Sequence, residues 1–297
     1  MIPQILGRLT QRLCGSRTAV QDRGHHEAFV PSGHFYSPLP SPTDILRRDT
    51  SLVNPPGIDL DEEYQKTTLE SLAVFYGDLP FVEHRTAAWR YYFGQPAFCH
   101  ADAIYLYGML RKCAPKRVIE VGCGYSSAVG LDTTETFLGG STHYTFIEPY
   151  PDVLNDLLRP NDLTRHRLIA QPVQDVPLSI YDDLGDGDIL FIDTSHVTKV
   201  GSDVNHLFFN VMPRLRPGVL VHIHDIFYPF DYPAEWYAEG RAWNEAFLTR
   251  AFLQHNDTYR IMLYASFAGW RFEPWLREHM PLCLRNTGGS LWLKKCR

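Results

Sequence analysis

The sequence is short of cysteine, of long apolar runs and of positive charge, and each shortage narrows the classes of protein it can belong to. Its six cysteines are widely spaced, without the pairing of a zinc site or the density of a disulfide-stabilised fold, so we interpret them as free thiols. No apolar stretch approaches the roughly 20 residues that cross a bilayer, which predicts no membrane span and a cytoplasmic location. The formal charge of −6 provides no basic surface for a phosphate backbone, so nucleic acid is not expected as a partner. A small or neutral substrate fits better.

The first third of the 297 residues differs in texture from the rest. Residues 32–57 are rich in proline, serine and glycine, which predicts irregular chain, and apolar spacing predicts helices over residues 60–76 and 101–113. We therefore expect an N-terminal extension over residues 1–115, irregular and then helical. It would cover a substrate or form an oligomer contact, and a homo-oligomer is one expectation from its aromatic segments.

After Pro115, short apolar runs alternate with helical patterns, which is typical of βαβ units and a mainly parallel sheet. This predicts an α/β, Rossmann-like, doubly wound domain over residues 116–297. The predicted strands cover residues 117–121, 143–147, 167–170, 188–192 and 219–224, with two later candidates at 258–264 and 290–295. The predicted helices between them cover residues 126–137, 151–158 and 202–215.

A glycine turn directly follows the first of these strands. Glu120-Val-Gly-Cys-Gly124 runs from a buried strand into a helix that begins near Ser126, an arrangement that lets main chain approach a ligand closely. The next strand ends in Glu148, 24 residues after Gly124, where an acid can accept both hydroxyls of a ribose. Together they predict a site for a nucleoside-containing cofactor.

NAD is the rival ligand for such a site, because dinucleotide enzymes use the same arrangement. Three features disfavour it. Ser127 stands where a third glycine would be expected, Glu120 interrupts an otherwise apolar strand, and Gln174-Asp175 follows the third strand in a position suited to an adenine amino group.

These motifs, with Asp188-Ile-Leu-Phe-Ile-Asp193 and Arg216-Pro-Gly-Val-Leu-Val-His-Ile-His-Asp225, resemble those of class I S-adenosylmethionine-dependent methyltransferases over residues 117–295. The resemblance implies a seven-stranded sheet whose last strand inserts antiparallel. It also implies a cofactor site in which Glu120 and Gly122 to Gly124 line the methionine end, Glu148 holds the ribose and Asp175 faces adenine. We predict as cofactor-binding residues Glu120, Gly122, Cys123, Gly124, Ser126, Glu148, Asp175 and Asp193.

Two mechanisms compete at the ends of the fourth and fifth strands. In one, His196 is a general base that removes a proton from the acceptor, with Asp193 and His224 beside it. In the other, Asp193, His224 and Asp225 bind a divalent cation that activates a substrate hydroxyl. The catechol-O-methyltransferase-like branch of the family offers a template for both mechanisms. Its metal ligands correspond to Asp193, His224 and Asp225 of this chain, and its lysine base corresponds to His196.

The expected activity is therefore O-methylation of a small-molecule acceptor, with S-adenosylmethionine as cofactor and a divalent cation as an open alternative. A nicotinamide-dependent oxidoreductase is the rival enzyme class. The alternative that is not an enzyme is a module that binds adenosylmethionine without catalysing methyl transfer.

Overall fold

The computed structural model describes residues 28–49, 51 and 54–297. The N-terminal residues 1–27, with Cys14 and the first part of the predicted extension, lie outside them. Contacts divide the chain into two units, residues 1–48 and residues 49–297. In the first, the described part contains one short helix, α1 (Pro42–Leu46), whose start is capped by Ser41. The sequence predicted irregular chain there.

Residues 49–297 contain the predicted seven-stranded sheet. Its spatial order is β3-β2-β1-β4-β5-β7-β6, with β1 to β5 parallel and β7 antiparallel to both of its neighbours. The strands are β1 Arg117–Val121, β2 His143–Ile147, β3 Arg167–Ile169, β4 Ile189–Ile192, β5 Leu220–Ile223, β6 Tyr259–Tyr264 and β7 Leu291–Lys295. The α/β, Rossmann-like fold with an antiparallel C-terminal strand is thus confirmed.

Helices cover both faces of this sheet. They are α2 Glu62–Ala73, α3 His100–Cys113, α4 Tyr125–Phe137, α5 Asp152–Leu157, α6 Asp162–Arg165, α7 Asp203–His206, α8 Ala234–Ala238, α9 Glu245–Leu253, α10 Ala265–Arg271 and α11 Glu273–His279. The predicted helix over residues 202–215 is interrupted, because a π-helical segment Leu207–Val211 and a 3-10 turn Met212–Arg214 follow α7. Pro213, which lacks a backbone N–H, lies in that turn and cannot continue an α-helix.

Two apolar clusters fill the space between the sheet and its helices. Successive strand residues alternate between them, as in Val118 and Ile119 of β1, because side chains alternate across a sheet. Helices α2 and α3 contribute to the first cluster, so residues 62–113 complete one face of the core. The boundary predicted at residue 115 stays a prediction, but residues 49–115 belong to the same compact unit as the sheet.

The cysteines and the helices bear on two expectations from composition, free thiols and no membrane span. The five described cysteines are free thiols. Among the described helices, none is both long enough and apolar enough to cross a membrane.

Candidate active site

The candidate site lies where four parallel strands end side by side. The register pairs the last residue of β1 with the last residues of β2 and β4, and the last residue of β4 with that of β5. The residues that follow these strand ends are Gly122, Glu148, Asp193 and His224. Ligands of doubly wound sheets bind at this edge. The structure thus brings together predicted residues that are up to about a hundred positions apart in the chain.

A cavity of about 520 Å³ opens at this edge. Its wall includes Gly122, Glu148, Pro149, Tyr150, Gln174, Asp193, Ser195 and Lys199. Drug-sized ligands occupy cavities of roughly 300–1,000 Å³, so the volume suits an adenosyl compound. Tyr150, Ser195 and Lys199 are wall residues that sequence reasoning missed, since nothing in their local pattern separates them from ordinary loop residues.

Gly122 lines the cavity and also lies where the loop after β1 closely approaches the loop after β4. Its φ is +81°, in the left-handed region that favours glycine. A Cβ at this position would lie 1.5 Å from the carbonyl oxygen of Asp193. Gly124 is different, because its φ is −177° and a Cβ there would meet nothing closer than Val153 at 3.9 Å.

Glu120 and Ser126 support the glycine turn from inside the protein. The Ser126 hydroxyl donates to Glu120 Oε1 at 2.6 Å, and both residues are buried. Burial raises the pKa of Glu120 to about 8, although the hydrogen bond from Ser126 favours the charged form. Neither residue is part of the cavity wall, so we interpret their role as fixing the turn.

Glu148 connects the end of β2 to the glycine turn. Its Oε2 accepts a hydrogen bond from the Cys123 main-chain N–H at 3.2 Å, and its Oε1 accepts one from the Tyr150 N–H at 2.8 Å. The carboxylate is therefore held in place and also lines the cavity. This is the arrangement that a ribose-binding acid needs.

Asp175 does not lie where the sequence suggested. It ends the 3-10 turn Val173–Asp175 and is exposed, outside the cavity wall. Its neighbours Val173 and Gln174 line the cavity instead. The physical reason is the tight turn, which directs successive residues to different sides and could not be inferred from the sequence pattern.

The predicted catalytic residues form one cluster around His196. Its Nε2 lies 3.4 Å from Asp193 Oδ1 and 3.5 Å from Asp225 Oδ2, and His224 Nε2 lies 3.7 Å from Asp225 Oδ1. A third carboxylate, Glu245 at the start of α9, lies 2.9 Å from His196 Nδ1. His196 is only 4% exposed, so carboxylates surround a buried imidazole.

The charges of this cluster shift its pKa values in opposite directions. Burial disfavours a charged imidazole, but the carboxylates of Asp193 and Glu245 outweigh it and raise the pKa of His196 to about 10. Burial raises the pKa of Asp225 above its usual range, with His224 and His196 opposing that shift. Burial also acts on Asp193, but there the two imidazoles prevail and lower the pKa.

His222 belongs to the core. It is fully buried and stacks on Phe191, with ring centroids 3.8 Å apart. Burial and the neighbouring His224 hold its pKa well below the usual value, so the ring is neutral. His222 is therefore a core residue and not part of the site.

The predicted metal ligands do not fit a divalent cation as they stand. Within the described part of the chain, no group of three or more His, Cys, Asp or Glu side chains has the arrangement of a metal site. Asp193 and Asp225 both contact the same ring nitrogen of His196, at 3.4 Å and 3.5 Å. We therefore derive no step through a metal.

Sequence reasoning missed Glu245 and Trp243. Trp243 packs on His196 with ring centroids 4.4 Å apart. The two residues lie 47 and 49 positions after His196, in a segment with no motif, and only the return of the chain at α9 brings them to the site. No local sequence signal could have identified them.

This chain is similar to a known protein family. Residues 119–226 match the profile of a methyltransferase domain family. An uncharacterised protein of Archaeoglobus fulgidus is 33% identical over 164 residues, which cover 52% of this chain and 73% of that protein.

Two solved methyltransferase structures resemble this chain at low sequence identity. A methyltransferase of Podospora anserina with S-adenosylhomocysteine bound has a TM-score of 0.43 at 12% identity, over 79% of this chain and 88% of that one. An O-methyltransferase of Bacillus cereus in complex with S-adenosylhomocysteine has a TM-score of 0.42 at 12% identity, over 79% and 91%.

The matched segment runs from β1 through β5 and contains the glycine turn, Glu148, Asp193 and Asp225. The segment therefore includes the four strand ends at which the cavity and the His196 cluster lie. The family match, rather than the low structural similarities, carries the assignment, and it decides against a nicotinamide-dependent oxidoreductase. The chain belongs to the class I S-adenosylmethionine-dependent methyltransferases.

Proposed function

We propose that this enzyme transfers the methyl group of S-adenosylmethionine to a hydroxyl group of a small, uncharged acceptor, with Asp225 taking the hydroxyl proton. The observation that carries the proposal is the pair of carboxylates, Asp193 and Asp225, at the ends of neighbouring strands beside the cavity. Asp193 is part of the cavity wall, and Asp225 contacts the same ring nitrogen of His196 as Asp193 does. A hydroxyl placed at this boundary would be close to both cofactor and base.

The cofactor-binding roles follow from the cavity. The glycine turn, with Gly122, Cys123 and Gly124, would hold the methionine end, and Glu148 would accept the ribose hydroxyls. We assign the adenine contact to Gln174 rather than Asp175, because Gln174 lines the cavity. The cofactor supplies an electrophilic methyl group on a sulfonium.

Asp225 suits the role of base better than His196. Both ring nitrogens of His196 face carboxylates, and a pKa of about 10 keeps the ring protonated near neutral pH, when it has no capacity for another proton. Burial moves the pKa of Asp225 upward, toward the pH at which a general base works best. His196 as the base stays a prediction from the sequence, and the contacts favour Asp225.

Charge and shape limit the acceptor. Asp193, Asp225 and Glu245 lie around His196, so a phosphate or sulfate group would meet three carboxylates there. Phe227 and Trp236, with ring centroids 5.2 Å apart, follow Asp225 along the chain, and Trp236 packs on Trp243 at 5.0 Å. These aromatic residues would provide an apolar wall for a neutral acceptor.

The test has two stages. Calorimetry should detect binding of S-adenosylmethionine and S-adenosylhomocysteine but not NADH. Neutral phenols, sugars, carboxylic acids and amines are then compared by release of S-adenosylhomocysteine, and the neutral hydroxyl compounds should give turnover. Turnover confined to carboxylates or amines would contradict the proposal, and cofactor binding without any turnover would indicate a non-catalytic module.

A variant tests the base. Asp225→Asn should lower the rate by roughly 10²- to 10⁴-fold, the usual contribution of a positioned base, while S-adenosylmethionine affinity is kept. The control is Asp257→Asn, since Asp257 is exposed and pairs with Arg297 at the opposite edge of the sheet. A rate that is the same in both variants would remove Asp225 from the mechanism.

A further inference from the structure

Glu245 holds His196 from the side away from the cavity. The side chain is fully buried, and its Oε2 lies 2.9 Å from His196 Nδ1. The main-chain N–H groups of Asn244 and Glu245 both donate to the carbonyl oxygen of His196, at 3.0 Å and 3.2 Å. The start of α9 therefore fixes both the ring and the main chain of His196.

This arrangement is costly as a purely structural contact. Burying a carboxylate costs several kcal/mol unless partners satisfy it. The second oxygen of Glu245 is buried and has no hydrogen-bond partner among the described residues. His196 and Asp225 also have φ values of +57° and +55°, in the left-handed region, where non-glycine residues are strained. An apolar core would avoid the buried carboxylate and its unpaired oxygen.

The fixed ring contacts two carboxylates that could otherwise share a cation. A divalent cation bound by Asp193 and Asp225 would lie roughly 2.0–2.6 Å from their oxygens. His196 Nε2 lies 3.4 Å and 3.5 Å from those same oxygens, so one ring nitrogen contacts both carboxylates, as a shared cation would. Glu245, on the far side, prevents the ring from turning away.

We propose that the ring of His196, held by Glu245, takes the place of a divalent metal ion at Asp193 and Asp225, so that these carboxylates contact an imidazole nitrogen instead of a metal. Glu245 is then a positioning residue, which acts through His196. The catalytic consequence, methyl transfer that needs no metal, rests on the proposed function. The occupation of the cation position does not, and it can be tested without an acceptor.

The first experiment asks whether removing the ring creates a metal site. Mn²⁺ binding is measured by the loss of the free-ion electron paramagnetic resonance signal. Wild-type protein should bind no Mn²⁺ at this site, while His196→Gly should bind about one equivalent, because three carboxylates then face the vacated space. The glycine also removes the strain of the positive φ. Asp225→Asn in the His196→Gly background should abolish the gain.

A matched control is His255→Gly. His255 is an exposed histidine with a φ of +56°, at the opposite edge of the sheet, so this variant loses an imidazole from the same backbone conformation without gaining Mn²⁺. If His196→Gly does not fold, His196→Asn replaces it, since asparagine tolerates the left-handed region. Wild-type protein that binds Mn²⁺ and loses it in Asp225→Asn would overturn the proposal. A folded His196 variant without Mn²⁺ binding would also overturn it.

The second experiment tests the positioning role. In protein labelled with ¹⁵N at histidine, the ring nitrogens of His196 should have the chemical shifts of nitrogens that contact carboxylates, with Nδ1 bonded to Glu245. Glu245→Ala should lose this signature, and Glu245→Gln, which keeps the shape and a hydrogen-bond acceptor, should retain part of it. Unchanged ring shifts in a folded Glu245→Ala protein would contradict the role of Glu245. Neither experiment depends on methyl transfer, so their failure is distinct from failure of the proposed function.

Discussion

Replacing Gly122 with alanine would measure how closely the loops after β1 and β4 approach each other. The new Cβ would lie 1.5 Å from the carbonyl oxygen of Asp193, and the φ of +81° is unfavourable for alanine. The left-handed backbone costs about 1–2 kcal/mol, and forcing an extra atom against packed main chain costs about 1–3 kcal/mol more. The free energy of unfolding, measured by urea denaturation, should therefore fall by about 2–5 kcal/mol.

Gly139→Ala separates the two contributions. Gly139 has a φ of +59°, but no atom lies within 4 Å of the Cβ that alanine would add, so this variant should lose only the backbone contribution, about 1–2 kcal/mol. Gly122→Ala should also weaken S-adenosylmethionine binding, because moving Asp193 deforms the cavity wall, whereas Gly139→Ala should leave affinity unchanged. Equal losses of stability in the two variants would refute the close approach.

Two further predictions concern the glutamates beside the turn. Glu148→Ala should weaken S-adenosylmethionine binding by about 1.5–3 kcal/mol, which calorimetry would detect as a roughly 10- to 150-fold higher dissociation constant. Asp175→Ala should change the affinity little. A larger loss of affinity in Asp175→Ala than in Glu148→Ala would restore Asp175 to the site. Because burial raises the pKa of Glu120 from 4.5 to about 8, the folded protein keeps a proton there that the unfolded chain releases, so its contribution to stability falls as pH rises through that range. Glu120→Gln should reduce this loss between about pH 5 and about pH 8 in urea denaturation, and an equal loss in both proteins would mean that Glu120 is not protonated in the folded state.

The strands, the glycine turn and the acid after β2 could be predicted because each depends on neighbouring residues. An apolar run followed by Gly122 and a helix start has one main structural interpretation, and β1 and β2 have the bounds that the sequence predicted. Parallel strands also place their ends at one edge, so the convergence of Asp193 and Asp225 followed from the fold class alone.

Local pattern was insufficient where a residue's environment depends on a distant segment. Asp175 was predicted at the cavity from its distance along the chain, but a 3-10 turn leaves it exposed and presents Gln174 instead. The helix predicted over residues 202–215 contains a π-helical segment, which apolar periodicity does not distinguish from an α-helix.

The sequence by itself determined the fold, the cofactor and the edge of the sheet where the candidate site lies, because these depend on periodicity and short motifs. Only the tertiary structure decided the state of His196. The sequence predicted a free base or a neighbour of metal ligands. The charge of the ring depends on the carboxylates of Asp193 and Glu245, and Glu245 lies 49 residues away on α9. A pKa is set by the charges and the burial within a few ångströms, and those distances exist only once the chain has folded.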